Sequence, residues 1–132
     1  MKPELQLPTS DNYCDCSGFV CWILGISRKT TNSFYEKYSG WIYTDSMVAD
    51  INSQAGIFEK LTTPEVGCIV VYGAGNKIGH VGIVYEVTNG KMSKVIHCSL
   101  GNDSNFGDSI QETAPTVFNK ADAVWGKFTS VN

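Results

Sequence analysis

The stretch HVGIVYEVTNGKMSKVIHCS, residues 80–99, decides the kind of fold this chain adopts. HVGIVYEV is apolar and β-branched and reads as a strand over 80–87, and KVIHCS reads as a second over 94–99. Between them, TNGK supplies the Asn-Gly pair favoured where both central residues of a tight hairpin turn need positive φ. Side chains alternate across a strand, so His80, Gly82, Val84 and Glu86 share one face and Val81, Ile83, Tyr85 and Val87 the other. In the second strand, Val95 and His97 face one way and Ile96 and Cys98 the other. Folded as a hairpin, the stretch brings both histidines of the chain to one face.

Two further strands flank it, GCIVVY (67–72) and AVWGKF (123–128), with GAGNKIG (73–79) as a turn and GNDSNFGDS (101–109) as a flexible loop. Before Pro64 the pattern is helical. CSGFVCWIL places Phe19, Val20, Ile23 and Leu24 at helical spacing over 16–24, with Asp15 as N-cap and Gly25 as the stop. The polar, aromatic segment 28–43 has some helical character at Ser33 to Tyr38. TDSMVADINSQAG reads as a second helix capped by Thr44 or Asp45, with Met47, Val48 and Ile51 on one side and Gly56 at its end. Helices first and an antiparallel sheet afterwards predict an α+β fold, helices packed on the sheet, with residues 1–132 as a single domain.

Composition narrows the function classes. The apolar fraction of 42% and charged fraction of 17% fit a globular chain, and no apolar run approaches the roughly 20 residues of a membrane span. A formal charge of -3, with ten Lys and Arg scattered singly or in pairs, gives no footprint for nucleic acid. MKPELQLPTSDNY has no apolar core of a secretory signal. Five cysteines, at positions 14, 16, 21, 68 and 98, cannot all pair within one chain, so a disulfide framework is not expected.

A nucleophilic thiol needs a low pKa, a base and a group that orients the base. Cys16 opens a helix, where backbone N–H groups and the helix dipole stabilise a thiolate. The only two histidines, His80 and His97, complete the set. Cys14, Cys21, Cys68 and Cys98 read as packing residues, since an unpaired cysteine is usually buried as a small hydrophobe. Cys14, Cys16, His80, His97 and Cys98 also offer zinc donors, but C-x-C is tighter than the usual ligand spacing and His97 and Cys98 point to opposite faces. No metal or cofactor is expected. Phe34, Tyr35, Tyr38, Trp41 and Tyr43 are candidates for the wall of a sugar or peptide groove, although packing is the commoner use of aromatic residues.

DCSGFV, then GHVGIVYE, then VIHCS resembles the signature of the NlpC/P60 cysteine peptidases, papain-like enzymes that cut peptidoglycan stem peptides. The resemblance runs from about Tyr13 to Ser99. It implies a papain-like fold with Cys16 as nucleophile, His80 as general base and His97 orienting that base. It further implies an oxyanion donor in the Cys16 N–H, close backbone approach at Gly18, and substrate contacts from Tyr13, Asp15, Ser17 and Gly79. The implied bond joins γ-D-glutamate to the following diamino acid, and the implied site of action is the bacterial cell wall or periplasm. As a secreted effector, such an enzyme would be countered by an immunity or inhibitor protein. The family's usual Gly-Asp at the first core strand stands here as Gly67-Cys68, and fifteen residues precede Cys16, fewer than the family's N-terminal segment. The alternatives are an amidase or acyl transferase of the same fold acting on another substrate, and a binding module in which the thiol is idle.

Overall fold

A computed structural model describes residues 16–73, 79–98 and 110–129. Helix α1 spans Cys16–Leu24 and α2 spans Thr44–Ser53, with a 3₁₀ turn at Ser33–Tyr38 between them. The strands are β1 (Phe58–Leu61), β2 (Ile69–Tyr72), β3 (His80–Thr88), β4 (Lys91–Cys98), β5 (Ile110–Thr113) and β6 (Val124–Phe128), and a second 3₁₀ turn, Pro115–Phe118, joins the last two. All neighbouring strands are antiparallel, in the order β1-β6-β2-β3-β4-β5. The fold is α+β, as the order of helical and β-branched segments implied.

Helix α1 has the expected span but not the expected face. Ser17 through Cys21 are all buried, whereas Trp22 and Ile23 are exposed at 43% and 50%. The first half of the helix packs on β3 and β4, and the returning segment carrying Tyr35 and Ile42 joins the same core. Helical periodicity describes one covered face, and a helix enclosed at one end violates it. The N-cap assigned to Asp15 lies outside the described residues.

Helix α2 starts after Tyr43, not after Thr44 or Asp45. Tyr43 is extended at φ -150, and its N–H donates to Ser46 Oγ at 2.9 Å, one half of a capping box. The helix ends at Gln54, which takes the left-handed conformation at φ 55, and not at Gly56. Gly56 is instead bound to the buried carboxylate of Asp50, which accepts from the N–H groups of Gly56 and Ile57 at 3.0 and 2.9 Å and from the Tyr35 hydroxyl. That carboxylate ties the first 3₁₀ turn, α2 and the approach to β1 together. Tyr35 is therefore core and not a groove wall, and burial followed by Asp50 holds its phenol well above the usual range. Phe34 lies against Tyr35 and Tyr38, Tyr38 against Tyr43, and Lys29 over Trp41.

The predicted hairpin is formed by β3 and β4, with Asn89 and Gly90 both at positive φ, 54 and 78. Strict alternation fails near its turn, where the register shifts on either side of Glu86. Val87 consequently packs with Val84, although alternation would put it on the face of Val81. The sheet carries two cores. Ile69, Val71, Val81 and Ile83 meet α1 and α2, while Val70, Val84, Val95 and Cys68 meet Phe118 from the second 3₁₀ turn. Strands β1 and β5, unmarked by any apolar alternation, are the two edges of the sheet.

One cysteine expectation is overturned. Cys98 is disulfide-bonded, whereas Cys16, Cys21 and Cys68 are thiols. An odd number of cysteines forbids complete pairing but not a single bond. Among the described residues, no helix is long and apolar enough to cross a membrane.

Candidate active site

Three neighbouring strands set side chains side by side on the face that carries Phe118. His80 is the first residue of β3 and His97 the penultimate residue of β4. Strand β5 pairs with β4 so that Gln111 faces His97 and Thr113 faces Val95, which makes Thr113 the diagonal neighbour of His97 on the same face. Nε2 of His80 lies 2.8 Å from Nδ1 of His97, and Nε2 of His97 lies 2.8 Å from Thr113 Oγ1. The side-chain alternation read from the sequence therefore brings both histidines together, as expected.

Phe118 roofs the pair. Its ring stacks on His80 at 5.1 Å with 13° between planes, and meets His97 edge-on at 5.3 Å. Such a cover removes water, and desolvation disfavours the imidazolium. Burial, and then the neighbouring His97, push His80 down to about 4, and burial also pushes His97 down. Both rings are neutral near neutral pH, so each has one N–H donor and one bare acceptor nitrogen.

Glycine makes the approach of these strands possible. A Cβ on Gly82 would stand 2.6 Å from Val95 Cγ1 and 3.0 Å from His97 Cβ, so any side chain there would displace His97. A Cβ on Gly79 would stand 2.5 Å from Thr44 Oγ1, so this buried position lets the start of β3 lie against the start of α2. Gly79, read from the sequence as a substrate contact, thus has a packing role.

Cys16 is half-buried at the first position of α1 and packs against the helix-side core. Tyr72 stands near both Cys16 and His80. The Tyr72 phenol is held above its usual range by burial and then by Cys16, and its ring lies 6.4 Å from that of His80, its partner across β2 and β3. Ser17, read as a substrate contact, is buried, and its Oγ accepts from Arg28 Nη2 at 2.8 Å. Tyr13, Asp15 and Cys14 lie outside the described residues. Cys21 is fully buried in the core, and burial raises the Cys68 thiol to about 11, which leaves it inert. No group of three or more His, Cys, Asp or Glu suited to a metal ion occurs among the described residues.

Sequence reasoning missed Thr113, Phe118 and Arg28. Thr113 sits on an edge strand of only four residues, and Phe118 follows Pro115 in a short 3₁₀ turn. The cue for Phe118 was a lone aromatic after Ala-Pro, too weak to connect with residues more than twenty positions away.

A family model for the CHAP domain matches residues 8–102. The chain belongs to the CHAP-domain family. CHAP domains occur in NlpC/P60-like and amidase cysteine peptidases, in agreement with the resemblance carried by DCSGFV, GHVGIVYE and VIHCS. CHAP membership brings hydrolase activity on peptidoglycan, of amidase or peptidase type, with peptidoglycan as the substrate. The matched segment holds Cys16, His80 and His97 and ends before β5. The chain matches no curated protein and no solved structure.

Proposed function

We propose that this CHAP domain is a cysteine hydrolase with an NlpC/P60-type, papain-like arrangement, in which Cys16 attacks an amide carbonyl, His80 is the general base and His97 orients His80. The observation that carries the reading is the pair of neutral imidazoles joined at 2.8 Å, His97 buried and His80 half-buried, on strands against which the helix opened by Cys16 is packed. Helix α1, which Cys16 opens, packs on β3 and β4, the two strands that carry the histidines. Nε2 of His80 is engaged by His97, which leaves Nδ1 to take the thiol proton.

His80 Nδ1 removes the thiol proton, and the thiolate adds to the carbonyl carbon, with the Cys16 N–H at the helix start receiving the oxyanion. The imidazolium returns its proton to the leaving amine as the C–N bond breaks. Water, deprotonated by the same nitrogen, cleaves the thioester and restores the thiol. Arg28 holds Ser17, and through it the first turn that presents the thiol.

By the NlpC/P60 resemblance, the bond is that between γ-D-glutamate and the following diamino acid in a stem peptide. An oxidising site of action, in the cell wall or periplasm, fits the disulfide at Cys98. Digestion of purified peptidoglycan, with mass analysis of the products, tests the reading. New amino termini on the diamino acid are expected. Release of intact stem peptides from the glycan would replace this specificity with the amidase alternative, transfer to an added amine would mark an acyl transferase, and no cleavage would leave the binding module.

A further inference from the structure

Thr113 has no place in the motifs, yet its hydroxyl ends the chain of hydrogen bonds that runs through both histidines. A hydroxyl has one proton. That of Thr113 is donated to the carbonyl oxygen of Ala114 at 2.9 Å, so toward His97 Nε2, at 2.8 Å, Thr113 Oγ1 acts as acceptor. His97 therefore carries its proton on Nε2 and presents a bare Nδ1. Across the 2.8 Å contact to His80, the donor must then be His80 Nε2–H. His80 is left with a bare Nδ1, the form that a proton acceptor for Cys16 requires.

We infer that Thr113 is a positioning residue, whose hydroxyl fixes the tautomers of His97 and, through it, of His80. The inference rests on the proposed Cys16, His80 and His97 roles but concerns a residue beyond them, on a strand outside the segment matched by the family model. Without the hydroxyl, His97 is free to protonate at Nδ1 and to donate to His80 Nε2. The His80 proton then moves to Nδ1, where it blocks the thiol.

Valine matches threonine in shape and suits a strand, so Thr113→Val removes the hydroxyl with little cost to β5. The test is ¹⁵N NMR of the imidazoles near neutral pH, together with the alkylation rate of Cys16 and peptidoglycan hydrolysis, for the parent chain, Thr113→Val and Thr113→Ser. The parent is expected to show Nε2–H at both histidines. Thr113→Val should show mixed tautomers and lose about ten- to a hundredfold in kcat at unchanged KM, the scale of one buried hydrogen bond. Thr113→Ser should restore the parental tautomers and rate. Parental tautomers and rates in Thr113→Val would overturn the inference, and so would Nδ1–H at His97 in the parent. Failure of the underlying roles has a different signature: Cys16→Ala would remain active while the imidazole spectra kept the tautomers expected here.

Discussion

Replacing Cys16 by alanine is expected to abolish turnover of peptidoglycan, a loss of about 10⁴-fold or more, while the fold is retained. In the proposed mechanism Cys16 Sγ is the attacking atom, and removing one member of a catalytic set that acts as a unit costs nearly as much as removing all of it. Retention of the fold follows from position. Cys16 is half-buried at the end of α1, so losing one sulfur there opens no enclosed cavity. Cys16→Ser should also be inactive, because a hydroxyl is far less acidic than a thiol and a base tuned for thiol chemistry cannot compensate. Rates of product release on purified peptidoglycan, with circular dichroism as the control for folding, check the result. Alanine at Cys21 or Cys68 supplies the contrast: each is buried in a core, so each costs stability without removing the attacking group. A folded Cys16→Ala protein with near-parental activity would sink the mechanism.

Much of this site is legible in the chain because its parts are local. The helix 16–24 follows from CSGFVCWIL ended by Gly25, and the hairpin follows from Asn89-Gly90 between two β-branched runs. Period-2 alternation then suffices to bring His80 and His97 to one face, as their hydrogen bond shows. What could not be read depends on distant pairing. Edge strands β1 and β5 carry charged side chains such as Glu59, Lys60 and Glu112, which blunt an exposed edge but erase the apolar pattern by which a strand is recognised. Thr113 and Phe118 are unread for this reason, since each acquires its role only when β5 and the turn after it close over β4. The bulge around Glu86 moves Val87 across the sheet, which no alternation count anticipates. Cysteine counting misled in a similar way, because it addresses totals and the bond at Cys98 is a matter of geometry.

His80→Ala is expected to lose nearly as much as Cys16→Ala, and its pH behaviour separates the two histidines. His80 would supply both the base for the thiol and the acid for the leaving amine, so its removal stops two steps. His97→Ala should be milder, because in the proposed roles His97 acts only through His80, and His97→Asn or His97→Gln milder still, since an amide can hold the ring without titrating. Burial first, and His97 second, keep His80 near 4 against an ordinary histidine value of about 6.5. Between those values the unfolded chain binds a proton at this position that the native state does not, so the stability tied to neutral His80 is complete above about pH 6.5 and is lost as pH falls toward 4. The parental protein should therefore lose thermal stability over that window, and His80→Gln should flatten the slope. In the same window the parental thiol should remain reactive, because His80, the proposed base, is not yet protonated, whereas in His80→Ala alkylation of Cys16 should shift toward the titration of an ordinary thiol near pH 8.5. Measuring kcat/KM on purified stem peptide and the pH profile of iodoacetamide labelling for the four variants decides the assignment. An alkaline shift confined to His97→Ala would exchange the two roles, and a shift in neither would leave the start of α1 as the sole activator of the thiol.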